Sequence, residues 1–144
     1  MQLRDEQTTE RARDEKAPWI ERETLVEATP EEVWEALTDE DRLEEWLAPE
    51  VEIDPTEGGE ISVRDGDQER SGTVESVEEH ERFAFTWSRP GEGESFVEFT
   101  IEGLPDGCRV TVVETPIGPT GMAAGGWGPR FARLRRALRL VLVA

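Results

Sequence analysis

The sequence has 144 residues, enough for one domain with a single hydrophobic core. Its 34 acidic residues outnumber 16 basic residues, which gives a formal net charge of −18. Such a charge repels phosphate groups, so we expect no nucleic-acid partner and no binding to anionic membrane surfaces.

Cysteine usage and hydropathy indicate the compartment. Cys108 is the one cysteine, so the chain cannot form an internal disulfide, which suits a reducing cytoplasm. The first residues lack the apolar core of a signal peptide, and the apolar run over 140–144 is too short to span a bilayer. We therefore expect a soluble, cytoplasmic protein.

The N-terminal part divides into a tail and a first strand. Residues 1–17 are mostly charged or polar without an apolar period, which predicts a disordered tail. Residues 19–28 alternate as a half-buried strand does. The remaining residues, 18–144, are predicted to form a single domain.

Two short helices are predicted next. Thr29 is a suitable N-cap, Pro30 a suitable first helical residue, and Glu32 completes a capping box. A second helix is predicted to begin at Thr38 or Asp39.

Alternating apolar residues then predict a series of strands joined by short turns. The strands are expected around residues 51–53, 61–63, 70–77, 83–87, 97–101 and 110–114. Short connections favour antiparallel pairing. The prediction is an α+β fold in which a curved antiparallel sheet of six to seven strands wraps around a long C-terminal helix, with two short helices after strand 1.

The C-terminal helix is predicted from its amphipathic pattern. Its apolar face is formed by Trp127, Phe131, Leu134, Leu138 and Val141. The opposite face carries five arginines, which we expect to pair with acidic residues of the body rather than to bind an anion.

Seven short motifs resemble the SRPBCC (START-like, helix-grip) superfamily, in the branch named after the activator of the heat-shock-protein-90 ATPase. They are residues 28–39, Trp46-Leu47-Ala48-Pro49, Gly58-Gly59-Glu60-Ile61, Gly72-Thr73-Val74, Phe85-Thr86-Trp87, Val110-Thr111-Val112-Val113-Glu114 and Gly126-Trp127. The resemblance covers roughly residues 19–142. It implies a cavity between the sheet and the C-terminal helix in a superfamily of lipid carriers, cyclases, receptors and chaperone regulators.

Candidate ligand-binding residues are those expected to face this cavity. They are Trp46, Phe85, Trp87, Phe99, Val112, Glu114, Met122, Trp127 and Phe131. Aromatic rings offer apolar ligands large faces, although the same rings could simply fill the core. Met122 belongs to the glycine-rich segment 121–128, which is interpreted as a flexible gate over the pocket mouth, with Met122 as an adaptable apolar plug.

Glu114 is the one candidate for catalysis. It shares the parity of Val110 and Val112, which places a carboxyl group on an apolar face, where it must be paired or neutral with a raised pKa. It could then bond a ligand or act as an acid/base. Alternatively it is exposed or paired with an arginine, and a bulge at Val112-Val113 would reverse its parity.

Three functions remain open from the sequence. The leading hypothesis is a non-catalytic binding protein for an apolar or aromatic small molecule. The alternatives are a cyclase- or dehydratase-like enzyme on a polyketide-like substrate, and a protein-interaction module with a possible chaperone partner.

We expect neither a metal nor a cofactor. The sequence has no His/Cys cluster with metal-ligand spacing, and its glycine-rich segment lacks a nucleotide-loop pattern. A monomer or a weak homodimer is expected, since Leu140, Leu142 and Val143 lie outside the apolar stripe of the helix.

Overall fold

The computed structural model describes the backbone of residues 19–143 and the side chains of residues 19–138. The predicted tail over 1–17 lies outside the described residues, so its separation from a domain over 18–144 stays a prediction. The same holds for the weak homodimer, because the side chains of Leu140, Leu142 and Val143 are not described.

Seven strands and three helices make up the described chain. The strands are β1 Ile20–Val26, β2 Glu50–Ile53, β3 Glu60–Asp65, β4 Gln68–Glu78, β5 Arg82–Ser88, β6 Ser95–Leu104 and β7 Gly107–Pro116. The helices are α1 Pro30–Thr38, α2 Glu40–Trp46 and α3 Trp127–Val143.

All strands pair antiparallel in one curved sheet with the order β1-β7-β6-β5-β4-β3-β2. The strands β1 and β2 are therefore the edges of the sheet. The two short helices lie between β1 and β2 along the chain, and α3 packs beside β1, α1 and α2. This arrangement confirms the predicted α+β helix-grip fold.

Local signals set the helix starts. The Thr29 hydroxyl accepts a bond from the Glu32 backbone N–H at 3.1 Å, and the Glu32 carboxylate accepts one from the Thr29 backbone N–H at 2.8 Å. This reciprocal pair is the predicted capping box. Asp39 caps α2 by accepting a bond from the Arg42 N–H at 3.1 Å.

The core lies between the inner face of the sheet and the helices. On β7, Cys108, Val110, Val112 and Glu114 are all fully buried. The register of β7 with β1 and β6 is continuous, so no bulge alters the parity of Glu114.

The edge strand β2 is covered by acidic side chains of α2. The Glu44 carboxylate accepts a bond from the Val51 N–H at 3.0 Å, and the Glu40 carboxylate accepts one from the Ile53 N–H at 2.9 Å. Unpaired edge N–H groups attract further strands, so these two bonds protect the sheet at this edge.

Within the described chain, no helix is both long and apolar enough to cross a bilayer.

Candidate functional site

A buried carboxylate, Glu114, lies near the end of β7 and beside the start of α3. Glu114 is 0% exposed, and its two oxygens accept five hydrogen bonds. The donors, at 2.6–3.1 Å, are the indole nitrogens of Trp87 and Trp127, the Ser95 hydroxyl, and the backbone N–H groups of Ala124 and Gly125. We call these five donors the Glu114 cage.

Two consecutive glycines shape the loop that supplies the backbone donors. Gly125 and Gly126 have φ angles of 73° and 79°, a region that residues with a side chain rarely adopt. The resulting turn directs the N–H groups of Ala124 and Gly125 toward Glu114, at 2.7 and 3.0 Å. The loop before α3 is therefore anchored to the end of β7.

The cage keeps Glu114 ionised. Burial alone raises the pKa of a carboxyl group, but here the bonds from Ala124, Ser95, Gly125 and Trp127 outweigh burial and lower the pKa of Glu114 below its usual range. Of the two alternatives expected for a buried acid, the structure therefore has the paired, charged one.

The predicted ligand-binding rings pack tightly against one another. Trp87 stacks on Trp127 with ring centroids 5.9 Å apart and an angle of 16° between planes. Phe99 meets the rings of both Trp127 and Trp46 edge-on, at 5.5 and 5.8 Å. The fully buried members of the predicted set are Trp46, Phe85, Trp87, Phe99, Val112, Glu114, Trp127 and Phe131. The structure brings them together in the core, and their contact with a ligand stays a prediction.

Met122 lies apart from this cluster. Its side chain is 60% exposed, and its backbone N–H bonds to the Glu94 carbonyl at 3.3 Å. The carbonyl of Glu94 also accepts a bond from the Ile117 N–H at 3.0 Å, so the loop is held at two points. The gating role of this loop stays a prediction.

Two arginines of α3, Arg130 and Arg133, bind differently from the sequence prediction. Arg130 donates to the carbonyls of Leu47 and Gly125 at 3.0 and 2.8 Å, and Arg133 donates to the Trp46 carbonyl at 3.2 Å. Among the described residues, neither makes an ion pair with an acid. The physical reason is that α2 ends at Trp46, where helix carbonyls lack partners and carry partial negative charge.

A cavity of about 500 Å³ lies at the opposite end of β7 from Glu114. It is lined by Leu25, Val26, Glu27, Leu104, Pro105, Asp106, Gly107, Cys108 and Arg135. An adjoining cavity of about 310 Å³ shares the turn between β6 and β7 and continues to Pro30. Arg135 of α3 bridges to β1 by a bond of 2.8 Å to the Thr24 hydroxyl. The space therefore lies where the helix meets the edge of the sheet.

A shallow polar groove of about 660 Å³ crosses β2, β3 and β4. It carries carboxylates of Glu40, Glu52, Asp54 and Glu60. Within the described part of the chain, no three His, Cys, Asp or Glu side chains converge in a way that would hold a metal ion.

Comparison with protein-family models finds one match over most of the chain. The model for Activator of Hsp90 ATPase homolog 1-like protein matches residues 27–139. The chain belongs to this family. The resemblance inferred from the sequence motifs is thereby confirmed.

Solved structures with the same fold support this assignment. DynU16, described as a protein in the dynemicin biosynthetic locus, is 28% identical with a TM-score of 0.71 and covers 84% of this chain. This chain covers 47% of DynU16, about half its length.

Two other solved structures show likeness of fold. MLL2253 from Mesorhizobium loti is 23% identical with a TM-score of 0.76, and the matched region covers 85% of this chain and 97% of the MLL2253 chain. The Aha1 dimer from Colwellia psychrerythraea is 17% identical with a TM-score of 0.68, and the matched region covers 83% of this chain and 95% of the Aha1 chain. Comparison with curated protein sequences gives no significant match.

In this member of the Hsp90-activator-like family, sequence reasoning missed several contributors. Ser95 had a usable signal, because it shares the parity of Val97 and Phe99 on β6, and all three are buried. The backbone donors Ala124 and Gly125 had none, because any residue type supplies a backbone N–H. The cavity beside Arg135 was also missed, since its walls come from segments far apart in the chain.

Proposed function

We propose that the protein binds an apolar or aromatic small molecule between α3 and the sheet, in the 500 Å³ cavity. The observation that carries this proposal is the cavity itself, whose volume falls within the range of about 300–1,000 Å³ typical of small-molecule sites. Leu25, Val26, Leu104 and Pro105 supply apolar walls, and Arg135 supplies a donor. The description of DynU16 as part of a biosynthetic locus supports a small organic ligand.

The state of Glu114 favours binding over catalysis. A cyclase or dehydratase would need a carboxyl group that exchanges a proton with substrate. Both oxygens of Glu114 already accept bonds from the cage, and its pKa is lowered rather than raised toward neutrality. The proposal therefore assigns Glu114 a structural role, at the opposite end of β7 from the ligand site.

Cavity filling tests the proposal. Leu104→Trp places a large side chain in the cavity, whereas Ile117→Trp changes an exposed apolar residue that does not line it. Neutral aromatic probes such as 2-naphthol should raise the melting temperature of the wild type and of I117W. At a probe concentration of about 100 times Kd, the expected stabilisation is about 2.7 kcal/mol.

The same experiment separates two locations. If L104W abolishes the stabilisation, the ligand occupies the cavity at Leu104. If L104W keeps it and Phe99→Leu abolishes it, the ligand lies among the aromatic residues singled out from the sequence. The absence of stabilisation by any apolar or aromatic probe would contradict a binding function.

The family description supports a second candidate function, binding to a chaperone of the Hsp90 type. Met122 and Ile117 are exposed apolar side chains on one loop and offer a contact surface. Met122→Asp should then weaken capture of purified Hsp90, while Leu25→Asp, on another part of the surface, should not. If the wild type, M122D and L25D capture Hsp90 equally, this loop does not contact the chaperone.

A further inference from the structure

Two guanidinium groups lie on one buried indole in this strongly acidic protein. The guanidinium carbon of Arg70, on β4, lies 5.5 Å from the centroid of the Trp87 ring. The corresponding carbon of Arg130, on α3, lies 5.6 Å from the same centroid and 4.9 Å from that of Trp127. Cation–π attraction holds both cations at the start of the helix.

The two arginines differ in their hydrogen bonding. Arg130 is fixed by the carbonyls of Leu47 and Gly125. Arg70 is partly buried, yet its guanidinium makes no hydrogen bond or ion pair with any described residue. A guanidinium carries five N–H donors in a planar fork, so Arg70 presents donors without an acceptor from the described chain.

The neighbouring charges do not supply that acceptor. Glu114 attracts both guanidinium groups, but its oxygens are occupied by the neutral donors of the cage. Glu92 forms its ion pair with Arg89 at 3.8 Å. Burial lowers the pKa of Arg70 and of Arg130 against the attraction of Glu114, and repulsion adds to it, from Arg89 at Arg70 and from Arg133 and Arg70 at Arg130. An added anion would relieve that repulsion.

We propose that Arg70, together with Arg130, forms a binding site for an oxyanion. The group bound is a carboxylate, sulfate or phosphate, whose paired oxygens match the fork of a guanidinium. Arg70 supplies the free donors, and Arg130 adds a fixed positive charge beside the same ring. The site lies at the start of α3, whereas the cavity of the proposed function lies at Arg135, so the two proposals stand or fall separately.

Indole resonances provide a direct test. Trp87 carries Arg70 on its ring, so its Nε1–H signal in a ¹⁵N-labelled sample should report an anion at this guanidinium. We would titrate sodium sulfate and, separately, sodium benzoate into the wild-type protein, with sodium chloride at equal ionic strength as the reference. A saturable shift of the Trp87 signal with sulfate indicates a free inorganic anion, and one with benzoate alone indicates an organic carboxylate.

Three variants complete the experiment. Arg70→Gln should raise the Kd of the probe by at least about tenfold, because the charge-assisted hydrogen bonds from Arg70 are lost. Arg70→Lys keeps the charge without the fork and should bind with intermediate strength. Arg64→Gln removes a surface arginine that pairs with Glu50 and Glu69, and should bind as the wild type does.

The outcomes decide the proposal. Saturable shifts that R70Q loses and R64Q keeps support the site. Shifts that rise linearly with either probe, match those of chloride, or are equally reduced in R64Q would overturn it. An unchanged melting temperature in R70Q and R70K would show that a loss of binding does not come from unfolding.

Discussion

The indole nitrogen of Trp127 donates a hydrogen bond of 2.9 Å to Oε1 of Glu114, joining the first residue of α3 to the end of β7. Both side chains are buried, so water cannot replace either partner. Residues 110–114 and residues 126–127 form two separate motifs that resemble the family, and this bond brings them into contact. The bond fixes where the long helix begins its path across the sheet.

Replacing the carboxylate should destabilise the fold strongly. Glu114→Gln turns one acceptor into an N–H donor that faces the donors of the cage, so we expect a loss of roughly 2–4 kcal/mol in the free energy of unfolding. Urea denaturation measures it. Glu102→Gln, at an exposed residue paired with Arg109, is the control and should change stability by less than about 0.5 kcal/mol. Equal effects of the two changes would contradict the importance of the cage.

The depressed pKa of Glu114 predicts a stability loss at acid pH. The unfolded carboxyl has a pKa of about 4.3, and the folded value lies below it. The carboxylate therefore contributes stability above the unfolded pKa, and this contribution disappears as pH falls through the folded pKa. The difference between the urea midpoints of the wild type and E114Q, measured from pH 7 to pH 3, should narrow as pH falls below about 4.3. A constant difference across this range would show that ionisation is not the cause.

Removing one indole donor should loosen the loop before α3. Trp127→Phe deletes the N–H to Glu114 and part of the stack on Trp87, at an expected cost of about 1–3 kcal/mol. Amide hydrogen exchange at Ala124 and Gly125 should accelerate in this variant. Trp34→Phe is the matched control, because that half-buried ring packs on Phe83 without contacting the cage, and exchange in the loop should be unaffected. Unchanged exchange in W127F would refute the anchoring role.

The acidic cover of the edge strand predicts a change in association. The double variant Glu40→Ala and Glu44→Ala leaves the N–H groups of Val51 and Ile53 without their acceptors, so β2 should pair with other molecules. Sedimentation velocity should detect concentration-dependent oligomers in the double variant. Asp41→Ala, on the same helix turn, should sediment as the wild type does. Identical profiles for both variants would mean that these carboxylates do not protect the edge.

The order of elements followed from the sequence because the relevant signals are local. The capping box of Thr29 and Glu32, the alternation along β6 and β7, and the helical stripe from Trp127 to Leu138 each depend on neighbouring residues. The parity of Glu114 along β7 predicted an inward position but left exposure and a bulge open, and the continuous register of the folded sheet decided for burial.

The state of the site was decided by tertiary structure alone. Whether Glu114 was neutral or charged depended on donors from β5, β6 and the loop before α3, three segments that only folding brings together. Charge counts favour pairing of the arginines of α3 with acids, but Arg130 and Arg133 bond to carbonyls at the end of α2. The cavity at Arg135 lies where the helix meets the edge of the sheet, and tertiary structure alone decided it, because packing distances across the fold are not encoded in any local pattern of residues.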